Sequence, residues 1–308
     1  MKENNYPKVS IIILNWNGLK DTIECLDSLK KIIYPNYEVI VVDNGSKGND
    51  ANVLEEKYKD YIGIIRNKEN LGFAGGNNVG IRRAIKRGAD FVLLLNNDTI
   101  VEPDFLDELV KIAEKDEKTA IIGSIIFDYY TEKIVFTNAK IDRKLKMERK
   151  IDYLNSDKDW WESEGVSGAS MMLKVEHLLK HSLFLDESLF LYCEESDLCG
   201  RTRRNGLKIV MAGRAKVYHK EGKSSGGAIS PITVYYVLRN RILLANKHLK
   251  LNNKIIFWTF FVSARLFRVL EWTIKNRWKL IRITYWAFID GIKNHAGKTQ
   301  RKLTEPSL

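Results

Sequence analysis

Three cysteines in 308 residues, Cys25, Cys193 and Cys199, are too few and too scattered for a disulfide framework or a C-x-x-C metal or redox site. They fit free thiols, partly buried, in a reducing compartment. No apolar run reaches the roughly 18–20 residues that span a bilayer. The nearest, Ile255 to Ala264, is closed off by Lys254 and Arg265. Met1 to Lys8 is polar and charged and does not read as a secretory leader. The G-x-G-x-x-G turn of a dinucleotide fold is also missing: Asn15-Trp16-Asn17-Gly18 follows the first apolar run, which argues against a nicotinamide enzyme. Low-complexity tracts are absent, and 44% apolar residues can bury a substantial core. These absences leave a globular body, expected in the cytoplasm.

The formal net charge is +11, and it is unevenly placed. Between Lys247 and Lys302 thirteen Lys or Arg face two acids, Glu271 and Asp290, so the rest of the chain is balanced. The basicity belongs to the tail, not to a general nucleic-acid-binding surface.

Val39-Ile40-Val41-Val42 is a run of β-branched residues that stops at Asp43-Asn44-Gly45-Ser46, a buried strand delivering an acid to a turn. Phe91 to Leu95, ending in Asn96-Asn97-Asp98, repeats the design. Val9 to Leu14 and Ile62 to Ile65 are further strands. Asp21–Lys31, Asn52–Tyr61, Val79–Arg87 and Pro103–Lys115 read as helices between them. Such alternation predicts a parallel sheet covered on both faces, with ligands at the carboxyl ends of its strands. After Ile121 the alternation weakens. Strands are expected at 121–127, 134–137, 208–212 and 215–218, a charged loop at 142–159, and a helix from the acidic cluster to a Gly206 cap. From Thr233 onward the pattern is helical.

Asp43 can bind a ribose or base edge, or cap its turn. Asn70 to Asn78 holds Gly72, Gly75 and Gly76 ahead of a helix, either a plain turn or a loop that lets backbone approach phosphate, with Arg66 nearby. Asp98 can ligate Mg²⁺ or Mn²⁺ with diphosphate oxygens and water, or form an Asx turn. Glu194-Glu195-Ser196-Asp197 crowds three acids into four positions, costly unless they are paired, solvated or catalytic. Arg201 and Arg204, four and seven residues beyond Asp197, explain that acid by helical pairing and leave Glu194 or Glu195 to face a cleft. His219 ends a strand and precedes Lys220-Glu221-Gly222-Lys223-Ser224-Ser225-Gly226, a basic Gly/Ser loop suited to a phosphate lid. The imidazole can be a late metal ligand. His177, His181, His248 and His295 lack such context and read as structural or solvated.

In this order, across about residues 8–245, these segments resemble the inverting family 2 glycosyltransferases with the GT-A fold, especially the rhamnosyltransferase-like branch acting on cell-surface glycans. The resemblance implies an α/β fold, a GT-A type Rossmann-like and mostly parallel sheet with helices on both faces, plus a C-terminal helical extension. It implies a catalytic domain over 1–230, with a nucleotide-binding half at about 8–120 and an acceptor half at about 121–230, and an extension over 231–308. Asp43 and Asn15 would hold the nucleotide, with Arg66, Gly72, Gly75, Asn77 and Asn97 beside it. Asp98 falls on the last position of the family's D-x-D metal motif. Asn96 replaces the first acid, so the cation, Mg²⁺ or Mn²⁺, has one carboxylate fewer, and His219 would be its second protein ligand. Glu195 falls on the catalytic base of E-D-x-D-L, with Glu194 as the alternative. Gly168, Asp197 and Arg201 would support the acceptor side or the structure. Arg201-Thr202-Arg203-Arg204 in place of Q-x-x-R-W implies one sugar per encounter.

The implied partners are a nucleoside-diphosphate sugar and a glycan or lipid-linked acceptor. The alternatives are a sugar-1-phosphate nucleotidyltransferase, which needs a Gly-rich, Arg-containing loop after the first strand, and an inert nucleotide-binding protein at a membrane. The tail carries Trp258, Trp272, Trp278 and Trp286 among its basic residues. It reads either as a helix lying on the inner face of the cell membrane or as a helical pair with Trp in its core and Lys outside.

Overall fold

The computed structural model describes residues 6–141, 147–152, 158–220 and 229–303. Strand Val9–Asn15 (β1), helix Leu19–Leu29 (α1), strand Tyr37–Asp43 (β2), helix Asp50–Tyr58 (α2) and strand Ile62–Arg66 (β3) open the chain. Helix Gly72–Lys86 (α3), strands Phe91–Asn96 (β4) and Thr99–Val101 (β5), and helix Phe105–Ala113 (α4) follow. Strands Thr119–Asp128 (β6), Ile134–Phe136 (β7), Asn138–Ile141 (β8), Met147–Lys150 (β9), Trp160–Glu162 (β10) and Ser170–Lys174 (β11) come next. Helices Val175–Lys180 (α5) and Glu194–Arg204 (α6) lead to strand Lys208–His219 (β12). Helices Pro231–His248 (α7), Leu251–Ile274 (α8) and Trp278–Ile292 (α9) end the described chain.

The main sheet runs β3-β2-β1-β4-β11-β6-β12-β10, with β5 on β12 and β7 on β6. The first four strands are parallel, as are β6 and β12, and β11 enters antiparallel between β4 and β6. Val39 to Asp43 and Phe91 to Leu95 are buried at every position, which only a sheet covered on both faces allows. Strand order reverses between β1 and β4, and an open α/β sheet gathers ligands at the carboxyl ends of strands at such a switch point.

Three local expectations differ from the structure. The Gly/Asn-rich stretch is not a loop, because α3 begins at Gly72 and holds its glycines inside the helix. A side chain at Gly76 would strike Leu14 and one at Gly80 would strike Ile12, so these glycines let α3 settle closely on the sheet. The two short strands expected at 208–218 are one strand whose register shifts between Ala212 and Lys216. Residues 147–150 of the expected charged loop pair with β8.

The core of the sheet is separate from a second apolar cluster built on Tyr235, Ile242, Phe257, Phe261, Ile283 and Ala287 of the last three helices. Phe190, Leu191 and Tyr192 pack against that second cluster, joining it to the segment ahead of α6. Trp272 is buried and Trp258 and Trp286 lie at the cluster's edge, but Trp278 is exposed. Among the described residues, no helix is long and apolar enough to cross a membrane.

Candidate active site

The tips of β1, β2 and β4 are joined by one hydrogen-bond network. Asn15 pairs with Asp43 across β1 and β2, and its Nδ2 lies 3.1 Å from Asp43 Oδ1, 3.1 Å from Asp50 Oδ2 and 3.2 Å from Ser46 Oγ. Its Oδ1 accepts from the Thr22 hydroxyl at 2.8 Å. Asn97 Nδ2 donates to the same hydroxyl at 2.9 Å, which carries the network to the end of β4. Asn15, Asp43, Asp50 and Thr22 are buried, so every carboxylate in this floor needs a donor. Ser46 supplies one to Asp43 Oδ1 at 2.5 Å.

Asp98 sits in the turn between β4 and β5. Its Oδ1 lies 3.1 Å from His219 Nε2, and that nitrogen lies 3.4 Å from the Asn96 amide. Pairing of β5 with β12 sets Thr99 opposite His219, which explains how residues 121 positions apart in sequence meet. The Asp98 carbonyl accepts from the Lys220 N–H at 3.0 Å. Lys220 Nζ is buried against Asp21 and Glu24 of α1, 2.9 and 2.5 Å away. The strand end carrying His219 is thereby pinned to the floor. Cys25 lies beneath it, 3.8 Å from the Asn96 carbonyl, and burial pushes its thiol up to about 12. The rest of the lid segment, 221–228, lies outside the described residues.

The other expected site residues fall around this edge. Arg66 is in register with Asp43, but its guanidinium reaches outward to Glu55 at 2.8 Å and Asn52 at 3.1 Å. Gly72 has φ +77°, and a side chain there would run into the Phe190 carbonyl, so this glycine answers to packing. Its own carbonyl accepts from Asn44 at 3.1 Å, beside Asp43. Gly75 and Asn77 are buried in the first turns of α3, and the Asn77 amide donates back to the Phe73 carbonyl at 3.0 Å. Gly168 precedes β11, whose lead-in residue Ala169 accepts from the Asn96 N–H at 3.0 Å.

The acidic cluster opens α6 on the same edge, since the Phe73 N–H at the start of α3 donates to the Phe190 carbonyl at 2.7 Å. Phe190, Tyr192 and Cys193 all have positive φ, 64°, 68° and 74°, a costly run for side chains other than glycine. The backbone then enters α6 with Glu194 and Glu195 at its positive end. Glu194 is buried with Oε1 unpartnered, and burial, then the charge of Glu195, holds its carboxyl well above the usual range. Glu195 is half-buried. Asp197 is fully buried, yet its carboxyl stays below the usual range. Burial raises it, but the His248 hydrogen bond at 2.5 Å and the Arg201 guanidinium at 2.7 Å outweigh that effect. Arg201 also donates to the Phe184 carbonyl at 2.6 Å.

Residues that the sequence reading passed over hold the strained turn. Asn240 Nδ2 lies 2.9, 2.8 and 2.8 Å from the carbonyls of Leu189, Leu191 and Tyr192. Arg239 is buried and donates to the Leu189 carbonyl at 3.0 Å. His248, read as structural or solvated, is a structural partner of Asp197. The available signal was the polar trio Arg239-Asn240-Arg241 between Leu238 and Ile242, which interrupts an apolar helical pattern.

The donor set can be tested for a cation. Among the described residues, no group of three or more His, Cys, Asp or Glu side chains is arranged to hold a metal ion. One hard carboxylate facing one imidazole at 3.1 Å nonetheless suits Mn²⁺ or Mg²⁺ whose remaining positions are filled by phosphate oxygens and water.

Comparison with known proteins gives the site its setting. Residues 10–181 match the model of the family described as glycosyl transferase family 2. The chain is 25% identical over 299 residues to the low-salt glycan biosynthesis hexosyltransferase Agl10 of Haloferax volcanii, covering 95% of this chain and 94% of the relative. It is 24% identical over 299 residues to the dTDP-rhamnosyl transferase RfbF of Shigella flexneri, covering 93% and 96%. Among solved structures, the mannosyltransferase PcManGT of Pyrobaculum calidifontis, in complex with GDP-Man and Mn²⁺, superposes with a TM-score of 0.59 at 15% identity, covering 95% and 88%. The family model spans more than half of the chain and the solved neighbour shares its sheet and flanking helices, so the chain belongs to glycosyltransferase family 2 and is a glycosyltransferase with the GT-A fold.

Proposed function

We propose that the enzyme is inverting and moves a sugar from a nucleoside-diphosphate donor to a hydroxyl of a glycan or lipid-linked acceptor in the making of a cell-surface glycan. Residues 1–230 form the catalytic unit in this reading, and 231–308 the helical extension that braces it. The observation that carries it is the continuous network Asp43–Asn15–Thr22–Asn97 at the switch point, adjoining Asp98 and His219. The relatives' names, a hexosyltransferase of glycan biosynthesis and a dTDP-rhamnosyl transferase, favour a hexose or deoxyhexose donor.

Asp43, an acceptor-only carboxylate held by Asn15 and Ser46, is suited to ribose hydroxyls or a base N–H. Asp98 and His219 would hold a divalent cation, which when bound offsets the negative charge developing on the departing diphosphate. A nucleoside diphosphate leaves without protonation, so the protein must supply only a base for the acceptor hydroxyl. In our reading Glu195 is that base: it is open enough for an acceptor to reach, whereas Glu194 is enclosed and its carboxyl is held well above the usual range by burial. Proton removal by Glu195 accompanies attack of the acceptor oxygen on the anomeric carbon, and the carbon–diphosphate bond breaks on the opposite face. Configuration is inverted, as with the base of an inverting glycosidase.

The test is a pair of neutral replacements. Glu195→Gln is expected to lower turnover by ~10²–10⁴, the usual range for loss of a general base, with donor affinity retained. Glu194→Gln, at a carboxyl enclosed away from any acceptor, should keep most of its turnover. The reverse ranking in steady-state kinetics and donor-binding calorimetry would move the base to Glu194, and two active variants would remove it from the cluster.

A further inference from the structure

Helix α8 is built inside out. Its buried residues Phe257, Phe261 and Trp272 lie on one side, with Phe257 and Phe261 packed into the second core. At 3.6 residues per turn the opposite side carries Ile255, Phe260, Leu266, Phe267, Leu270 and Ile274, each more than half exposed. Of the charged residues on α8, Lys254 and Arg265 are half-buried on the side of Phe257 and Phe261, and the exposed Arg268 pairs with Glu271 at the margin. A surface helix of a globular protein normally turns its charges outward and its apolar stripe inward. Thr259 and Ser263 interrupt this face, but their hydroxyls bond back to the helix carbonyls of Ile255 and Thr259. A largely apolar outward face of this length, about 30 Å at 1.5 Å per residue, marks an interaction surface.

We propose that this face lies in the interface of an anionic lipid bilayer, with α8 parallel to the membrane plane. Two observations select this occupant. Charge is the first: the segment from Lys247 to Lys302 holds thirteen Lys or Arg and two acids, with Lys250, Lys275 and Arg277 exposed around the ends of α8. A second copy would set this strongly cationic segment against itself, whereas an anionic leaflet complements it. Residue type is the second. Trp278 and Tyr285, seven positions apart on α9, are 60% and 62% exposed, and such aromatics favour the headgroup level. The charges within α8 itself, Lys254, Arg265, Arg268 and Glu271, explain why it is not apolar enough to span, so it lies on the surface.

The test uses the full chain and density flotation with vesicles of phosphatidylcholine alone or mixed equally with phosphatidylglycerol. The protein should float with the anionic vesicles, less so in high salt, and poorly with the neutral ones. Leu266→Glu, Phe267→Glu and Leu270→Glu combined should cut vesicle binding by at least about tenfold, since each buried methylene counts. Exposed as they are, these changes should leave Tm and turnover with a soluble acceptor unchanged. Ile33→Glu, at an exposed site on the sheet domain, should bind as the parent does. Failure of the parent to float, or flotation of the triple variant at the parent level, overturns the proposal. So does light scattering that shows a dimer dissolved by the triple variant without vesicle binding. Flotation reads binding without turnover, so the result does not depend on which glutamate is the base.

Discussion

Asn15 shows how much of the site rests on single amides. Its one nitrogen serves Asp43, Asp50 and Ser46, and its oxygen takes the Thr22 proton, so one side chain positions two buried carboxylates. Asp43 was legible, because an acid that ends a run of β-branched residues stands out in any sequence, whereas Asp50 opens α2 and carries no such mark. The donors were not legible, because an Asn or Thr near a turn serves its own backbone as often as a distant acid. Asp98 and His219 are a case between the two. Both were picked out singly, but their 3.1 Å approach depends on β5 pairing with β12, which no local pattern announces. If they share a cation, replacing either weakens the other's hold on it. Asp98→Ala and His219→Ala are each expected to raise the Mn²⁺ concentration for half-maximal turnover by at least ~10-fold, and to weaken Mn²⁺ binding measured by electron paramagnetic resonance with UDP or GDP present. Unchanged Mn²⁺ affinity in both variants would leave the pair a structural ion pair.

At the scale of elements, α6 is placed from outside. The turn at residues 190–193 keeps three side-chain-bearing residues at positive φ, and its carbonyls converge on Asn240 of α7. Strain of this kind persists only where the surroundings over-determine it. Asn240→Ala removes the donor and leaves buried carbonyls unserved, a cost of roughly 1–3 kcal/mol. Because the acids begin directly after this turn, at Glu194, kcat should fall about tenfold or more well below Tm, the size of effect that a misplaced catalytic group produces. Donor KM should stay within about twofold. Unaltered kcat in folded protein would make Asn240 a stabilising residue only. The alternating strands and helices were readable from periodicity, and so was the Gly206 cap, which has φ +72°. The start of α3 was not. Glycine and asparagine favour turns locally, and only packing against Leu14 and Ile12 makes helix the better use of those glycines. The division of the last strand was misread for a related reason, since a register shift at 213–215 looks like an interruption in sequence.

On the scale of the molecule, the sequence revealed where the charge is but not which way it faces. The tail's basic residues and tryptophans were countable, yet an outward apolar face on α8 follows only once Phe257 and Phe261 have chosen the core. What fastens this second cluster is ionic. Asp290 of α9 is buried, accepts from Tyr235 of α7 at 2.6 Å, and is gripped by Arg301 through Nε at 2.6 Å and Nη2 at 2.7 Å. These partners, the Arg301 hydrogen bond foremost, hold its carboxyl down at about 2. In the unfolded chain it returns to about 3.9, so between about 2 and 3.9 the folded state binds fewer protons, and stability rises with pH across that window by roughly 2 kcal/mol. The gain is complete above pH ~4 and is lost as pH falls through about 2. Asp290→Asn abolishes it and leaves Arg301 without its carboxylate, so the variant should melt several degrees lower at pH 7. The gap between parent and variant, followed by calorimetry from pH 7 downward, should hold to about pH 4 and then narrow. A gap that stays constant as the pH approaches 2 would mean that Asp290 contributes through shape and not through its charge, and that the helical extension is held by its apolar contacts alone.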